Sequence, residues 1–310
     1  GLMQGTVTWA PAAAPAAAAA SPSEIAETLP SGLRAWVQRS DDSDVFAVHV
    51  AFAPRSASEP AGKEGIADFL HRMFLRGTIV RDAASLSAAL DALGARVKVV
   101  DDPAIPYDDY YTTPEYSFVR LEVPGGRWRE ALSLLSEVVR YPRFAGDDVE
   151  ATRKEMLDLE KRQAESTRAV SQDLVARTLA PGHPLSRPVL GTPASIASVT
   201  ADDLSAFHRD YVSGKRTIVT AVGPADPGEV LAALRSAFGD LPAGPEPPRV
   251  APPPVTPGGL AADAVVGKGM AQIVLSRYFD AEPADEAALM VAGAMLSGTA
   301  LQVPIYALLS

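Results

Sequence analysis

Apolar and polar residues alternate along four short segments of the chain, the pattern of strands that bury one face. These segments are GLRAWVQR, DVFAVHVAFA, EYSFVRLEV and RTIVTAVG. Apolar residues spaced three and four apart instead predict amphipathic helices. These helices cover residues 65–75, 83–93, 128–140, 147–164 with a second helical run to 179, 200–212 and 226–241. This order of elements predicts an α+β layered domain rather than an alternating doubly wound fold.

Proline and alanine mark the boundaries of that domain. Residues 1–23 are Ala-rich and interrupted by prolines, as in the end of a secretory signal or in a flexible leader. Residues 24–241 hold the periodic segments, and the Pro-rich stretch 242–257 is a predicted extended linker. A predicted strand and helix then open an incomplete second domain over 258–310. If the leader is a signal, the protein is periplasmic or secreted, and otherwise it is cytoplasmic.

Composition removes several classes of function. A net charge of −10 gives no basic footprint for nucleic acid. Without cysteine, a zinc ion would be held by His, Asp or Glu alone. After residue 20, no apolar run approaches the ~20 residues that a membrane-spanning helix needs. No serine nucleophile elbow or phosphate-binding loop is present.

One predicted helix carries candidate chemistry, in the stretch GIADFLHRMFLRGT over residues 65–78. Its apolar residues form a complete buried stripe. On the opposite face, Asp68, His71 and Arg72 are neighbours, because offsets of three and four residues bring side chains together. We expect Asp68 and Arg72 to form an exposed ion pair worth roughly 0.3–0.5 kcal/mol.

This stretch resembles the zinc helix of the insulinase family, which reads approximately G-L-A-H-F-L-E-H-M-L-F-K-G-T. The family includes pitrilysin and the mitochondrial processing peptidases. Further segments resemble the family in the same order, namely TLPSGLRAWV, RSASEPAGKEGIADFL, LSRPVLGTPASIASVTADDLSAFHRDYV and VAGAMLSG. The resemblance implies the two-layer domain of the processing peptidases, followed by a truncated second repeat of related fold.

The residues that carry the family's zinc chemistry are replaced here. In the inverted motif H-x-x-E-H, two His ligands and a Glu general base share one helical face. At these positions the chain has Asp68, His71 and Arg72. The family's downstream glutamates, seven residues apart, align near Thr152 and Leu159. A guanidinium cannot ligate zinc because it stays protonated, so we expect no metal at this motif and no catalytic residue in it.

Two other glutamates have the right spacing but lie on the wrong helix. Glu130 and Glu137 stand seven apart on the helix before the long charged one, and their pattern predicts a solvated face. The remaining histidines, His49, His183 and His208, are predicted to be packed or surface residues rather than ligands. The tyrosines of IPYDDYYTTPEY fit a locally packed loop better than a contact with a peptide or partner.

The resemblance implies a non-catalytic, peptidase-like subunit or domain. Its partner would be an active zinc-bearing subunit, or further domains of the same family, and together they would enclose a peptide or unfolded protein. Zinc would then belong to the partner, and this chain would carry no cofactor. One alternative is an active metalloendopeptidase with a rearranged metal site made of Asp68, His71 and either Asp158 or Glu160. Another is a purely structural scaffold subunit.

Overall fold

The computed structural model describes residues 23–101, 113–254 and 265. The chain divides into two compact units, Gly1–Leu157 with Val189–Pro248 and Asp158–Pro188 with Arg249–Ser310. The described part of the first unit contains a six-stranded sheet with helices packed against it. The predicted strand and helix after residue 258, and most of the tyrosine-containing segment, lie outside the described residues. Among the described residues, no helix has the length and apolarity needed to span a membrane.

Six strands form one sheet in the first unit. They are β1 (Glu24–Thr28), β2 (Arg34–Arg39), β3 (Val45–Phe52), β4 (Arg96–Lys98), β5 (Ser117–Pro124) and β6 (Thr217–Gly223). Their order across the sheet is β1-β2-β6-β3-β5-β4. Only the pairing of β2 with β6 is parallel within this sheet, and the other pairs are antiparallel.

The four strands predicted from alternation are confirmed. Along β3, every second residue from Phe46 to Phe52 is buried, while His49 and its neighbours on the other face are only half-buried. Two edge strands, β1 and β4, were not predicted. Both strands lie at an edge of the sheet and contain no buried residue, and β4 has just three residues. The alternation of buried and exposed side chains that identifies a strand in the sequence is therefore absent from them.

Eight α-helices are described. They are α1 (Ile66–Met73), α2 (Ala83–Leu93), α3 (Trp128–Arg140), α4 (Gly146–Ala164), α5 (Thr167–Leu179), α6 (Pro193–Ser198), α7 (Ala201–Tyr211) and α8 (Pro227–Phe238). Helices α3 and α8 pack on each other, α3 against β5 and α8 against β1 and β2. Helix α1 packs against α7. The apolar face of the sheet and these helices enclose the core.

Helix ends follow local rules that the sequence shows. Gly94 ends α2 in the left-handed conformation with φ 65°, and Thr200 opens α7 with a complete capping box to Asp203. The Pro- and Gly-containing stretch APGHPLSRPVLGTPASI, residues 180–196, predicts a loop, and this prediction is wrong at its end. There Thr192 and Ser195 form a second capping box and Pro193 occupies the first turn, so the short helix α6 begins inside the predicted loop.

Candidate functional site

A close crossing of two backbone segments fixes the start of α1. Gly65 (φ +87°) precedes the helix, and a Cβ atom there would lie 2.3 Å from the carbonyl oxygen of Leu190. Gly191 (φ +92°) crosses the other segment just as closely. A Cβ atom at Gly191 would lie 2.3 Å from the carbonyl oxygen of Glu64. Ser195 donates a hydrogen bond to that same oxygen at 2.7 Å. The candidate helix therefore has a fixed position in the first unit.

The polar face of α1 is buried, and the prediction of a solvated face there is wrong. Asp68 is 5% exposed and His71 is 1% exposed, while the side chain of Arg72 keeps 14% of its surface accessible. The three residues do lie together, as their spacing predicts. Sequence periodicity identifies neighbours on a helix, but the other elements of the fold decide whether that face meets water.

Asp68 lies between two guanidinium groups. Its Oδ1 atom is 3.1 Å from Nη2 of Arg55, and its Oδ2 atom is 2.8 Å from Nε of Arg72. Burial opposes ionisation of this carboxyl, but the charges of Arg72 and Arg55 outweigh it, so the pKa of Asp68 lies below its ordinary value. The expected ion pair with Arg72 is present as a buried contact, with a second partner that the sequence did not reveal.

His71 is a neutral imidazole inside the core. Burial, assisted by the charge of Arg55, lowers the pKa of His71 to about 3. In the neutral ring, Nδ1–H donates to the carbonyl oxygen of Val99 at 2.9 Å. Edge-on contacts with Phe52 and Phe74 complete its surroundings. Among the described residues, no hydrogen bond of ordinary geometry reaches Nε2.

Arg55 and Glu59 are residues of this site that the sequence reasoning missed. Arg55 is 2% exposed, and its Nη2 also contacts the carbonyl oxygen of Val189 at 3.4 Å. The carboxylate of Glu59 accepts hydrogen bonds from the amides of Gly65 and Ala67, at 3.2 and 3.3 Å. Burial raises the pKa of Glu59 to about 7 although the charge of Arg55 opposes that rise. The available signal was the position of Arg55 and Glu59 early in the short segment between a buried strand and a buried helix, but Lys63 and Glu64 in the same segment are not part of this site.

The donor set at this helix does not fit a zinc ion. Both oxygens of Asp68 are engaged by guanidinium groups, and Arg72 brings a fixed positive charge to a ligand position of the family motif. The imidazole of His71 is held by the backbone of Val99 and of Phe118. Within the part of the chain that the structure describes, no group of three or more His, Cys, Asp or Glu residues is arranged to hold a metal. Asp158 and Glu160 belong to the second compact unit.

The positions that align with the family's downstream glutamates are uncharged and buried. Thr152 is fully buried on α4, and Leu159 on the same helix is 8% exposed. The prediction of a solvated face for Glu137 is wrong, because its carboxylate is only 18% exposed, accepts a hydrogen bond from Thr78 at 2.6 Å and pairs with Arg81. Glu130 is exposed as predicted.

The other histidines make packing contacts. His49 is half-buried beside Phe118, with ring centroids 4.2 Å apart. His183 and His208 each place Nε2 within hydrogen-bond distance of a backbone carbonyl oxygen, that of Ala251 at 2.9 Å and that of Val139 at 2.8 Å. Each position agrees with the prediction of a packed or surface residue.

The fold and this helix define a peptidase-like α+β domain with an altered metal motif. The family model described as "Insulinase (Peptidase family M16)" matches residues 36–193, which is more than half of the chain. A second model, "Peptidase M16 inactive domain", matches residues 198–304. The chain belongs to the insulinase family, peptidase family M16.

Individual relatives agree with that assignment. An uncharacterized zinc protease of Mycobacterium tuberculosis is 29% identical over 74% of this chain and 50% of its own length. Subunit 1 of the mitochondrial cytochrome b-c1 complex of Caenorhabditis elegans is 26% identical over 72% of the chain and 45% of its length. The crystal structure of a peptidase M16 inactive domain from Pseudomonas fluorescens matches with a TM-score of 0.66 at 20% identity, over 75% of this chain and 54% of that one. The chain spans about half the length of the relatives it matches.

Proposed function

We propose that this chain is a non-catalytic, peptidase-like subunit or domain that pairs with an active zinc-bearing partner of its family and helps to enclose a peptide substrate. In this proposal the chain binds no zinc at α1, and the partner supplies the metal. The partner is a separate subunit or further domains of the same longer protein.

The observation that carries the proposal is the state of Asp68. Its two oxygens, which in a metal site would be free to face the cation, are held by Arg55 and Arg72. A guanidinium that stands where the family has its second His supplies positive charge without being able to activate water. The helix is thus stabilised by internal ion pairs in the absence of a metal, which suits a peptidase fold that has lost hydrolysis.

Zinc content is the measurement that tests the loss of the metal. The purified chain is incubated with excess zinc, desalted and analysed, beside an Arg72→His variant in which a possible ligand replaces the cation. We expect no stoichiometric zinc in the wild-type protein and no hydrolysis of peptides by it. One zinc per chain, together with peptide cleavage that is lost in Asp68→Asn and His71→Gln, would establish the alternative of an active peptidase with a rearranged metal site.

Peptide binding distinguishes the proposal from the scaffold alternative. The Caenorhabditis elegans relative is named as a subunit of the cytochrome b-c1 complex, and membership of a stable complex is what the scaffold alternative predicts. A labelled unstructured peptide is titrated into the chain alone and into its mixture with a family member that retains H-x-x-E-H. A substrate-enclosing partner binds the peptide and raises hydrolysis by the active member. A scaffold forms the complex and changes neither quantity.

A further inference from the structure

The guanidinium of Arg72 is engaged through one of its three nitrogens. Its Nε atom donates to Oδ2 of Asp68 at 2.8 Å, and this is its one hydrogen bond or ion pair in the described structure. Nη1 and Nη2, the pair that forms the outer edge of the guanidinium, have no protein acceptor among the described residues. That outer edge has the geometry that accepts a carboxylate through two parallel hydrogen bonds.

Asp68 does not fully neutralise the positive charge of the Arg72 guanidinium. Its other oxygen is already engaged by Nη2 of Arg55, so one negative charge is shared between two guanidinium groups. Among these three side chains two positive charges share one negative charge, and the nearby buried carboxyl of Glu59 interacts with Arg55 rather than with Arg72. Because the side chain of Arg72 is only 14% accessible, an anion placed there would be partly shielded from water and held more strongly than at an open surface.

The orientation of the Arg72 side chain is fixed by its buried helix and by Asp68. Its helix is buried on nearly every side, and Asp68, which orients the guanidinium, is itself held by Arg55. A side chain that is already oriented loses little conformational freedom when it binds a ligand. Arg76, one turn later, differs because its guanidinium is already paired with Glu155 and its side chain is 30% exposed.

We infer that Arg72 binds a carboxylate group of the enclosed peptide through its Nη1 and Nη2 atoms. The carboxylate comes either from an Asp or Glu side chain or from the peptide's C-terminus. This inference rests on the proposed peptide-enclosing function and adds a preference to it: the altered motif selects acidic peptides. The position at which active relatives place a metal ligand would then hold the substrate.

Three fluorescent peptides of identical length test this preference without any change to the protein. One contains a single central Glu and an amidated C-terminus, the second has Gln at that position and the same amide, and the third has Gln with a free C-terminal carboxylate. We expect one of the two carboxylate peptides to bind the wild-type chain at least tenfold more tightly than the neutral peptide. The peptide that gains identifies the source of the carboxylate.

Variants assign the preference to this residue. Arg72→Gln is expected to abolish the tenfold difference between the carboxylate and the neutral peptide, and Arg76→Gln is the matched control that preserves the difference. If Arg72→Gln alone unfolds, the variant Arg55→Met/Asp68→Asn/Arg72→Gln, which removes all three charges of the group together, takes its place. Circular dichroism confirms the fold of each variant.

The possible outcomes separate the two proposals. Equal binding of all three peptides to the wild-type chain overturns the carboxylate site and leaves the peptide-enclosing function standing. A preference that persists in a folded Arg72→Gln protein also overturns the assignment to Arg72. If none of the peptides binds, the peptide-enclosing function and the carboxylate site fail together.

Discussion

Nη2 of Arg55 lies 3.1 Å from Oδ1 of Asp68, and both side chains are almost completely buried, at 3% and 6% exposed. Arg55 follows β3, whereas Asp68 is in the first turn of α1. The contact therefore joins a sheet and a helix inside the core. A buried charge that loses its partner is costly, so this pair makes the altered motif part of the stability of the domain.

Arg55→Met is expected to lower the free energy of unfolding by about 3 kcal/mol, because removal of one member of a buried ion pair leaves the other poorly compensated. Asp68→Asn should cost a similar amount. In the double variant both charges of the pair are gone, and the loss should be well below the sum of the two single losses. Urea denaturation of the four proteins measures this coupling. Additive losses would show that the two groups do not stabilise each other.

Gly65→Ala is expected to destabilise the domain by roughly 2–5 kcal/mol. The substitution adds the strain of a left-handed backbone and a contact of 2.3 Å with the carbonyl oxygen of Leu190. Gly62→Ala is the matched control, because Gly62 also has positive φ (+77°) but no atom lies within 4 Å of its hypothetical Cβ. That control should lose only about 1–2 kcal/mol. Equal losses in thermal or urea denaturation would contradict the close crossing.

The buried imidazole of His71 should make the protein sensitive to acid. The folded-state pKa is lowered to about 3, below the ordinary value of about 6.5, so the unfolded chain binds the proton first. The stabilising contribution is complete above pH of about 6.5 and decreases by about 1.4 kcal/mol per pH unit as the pH falls toward 3.

His71→Gln keeps a donor for the carbonyl oxygen of Val99 and removes this titration. We therefore expect a shallower decline of the free energy of unfolding between pH 6 and pH 4 in the variant, as measured by urea denaturation at each pH. Above pH 7 the two proteins should have parallel profiles, which is the internal control. Parallel profiles below pH 6 would show that His71 does not titrate as described.

Arg153 binds backbone carbonyl groups at the end of α6, and we expect it to contribute more to the free energy of unfolding than an exposed charged residue does. Nη1 and Nη2 donate to the carbonyl oxygens of Ile196 and Val199 at 2.6 and 2.7 Å, and the side chain is only 14% exposed. Arg153→Ala leaves these carbonyls without their donors and should cost about 2 kcal/mol. Arg39→Ala, which removes an exposed pair with Asp41, is expected to cost less than about 0.5 kcal/mol. Similar losses from the two variants in thermal denaturation would contradict this role.

The sequence alone determined the family, the class of fold and the chemical character of the altered motif. Alternation predicted the four inner strands, because these strands bury every second residue. The capping box at Thr200 and the stop at Gly94 were readable because each depends on residues within one turn. The identities of Asp68, His71 and Arg72 lead to the prediction that no ordinary zinc site forms here, which the zinc content of the purified chain would test.

Tertiary structure decided what surrounds those residues. Burial of Asp68 and His71, and the second guanidinium on Asp68, depend on chain segments that meet only in the folded domain. Helical spacing shows which side chains are neighbours, but it contains no information on what packs above them. The expected exposed ion pair is therefore a buried group that includes Arg55, a residue thirteen positions away from Asp68. Only packing between β3, the following segment and α1 could place it there.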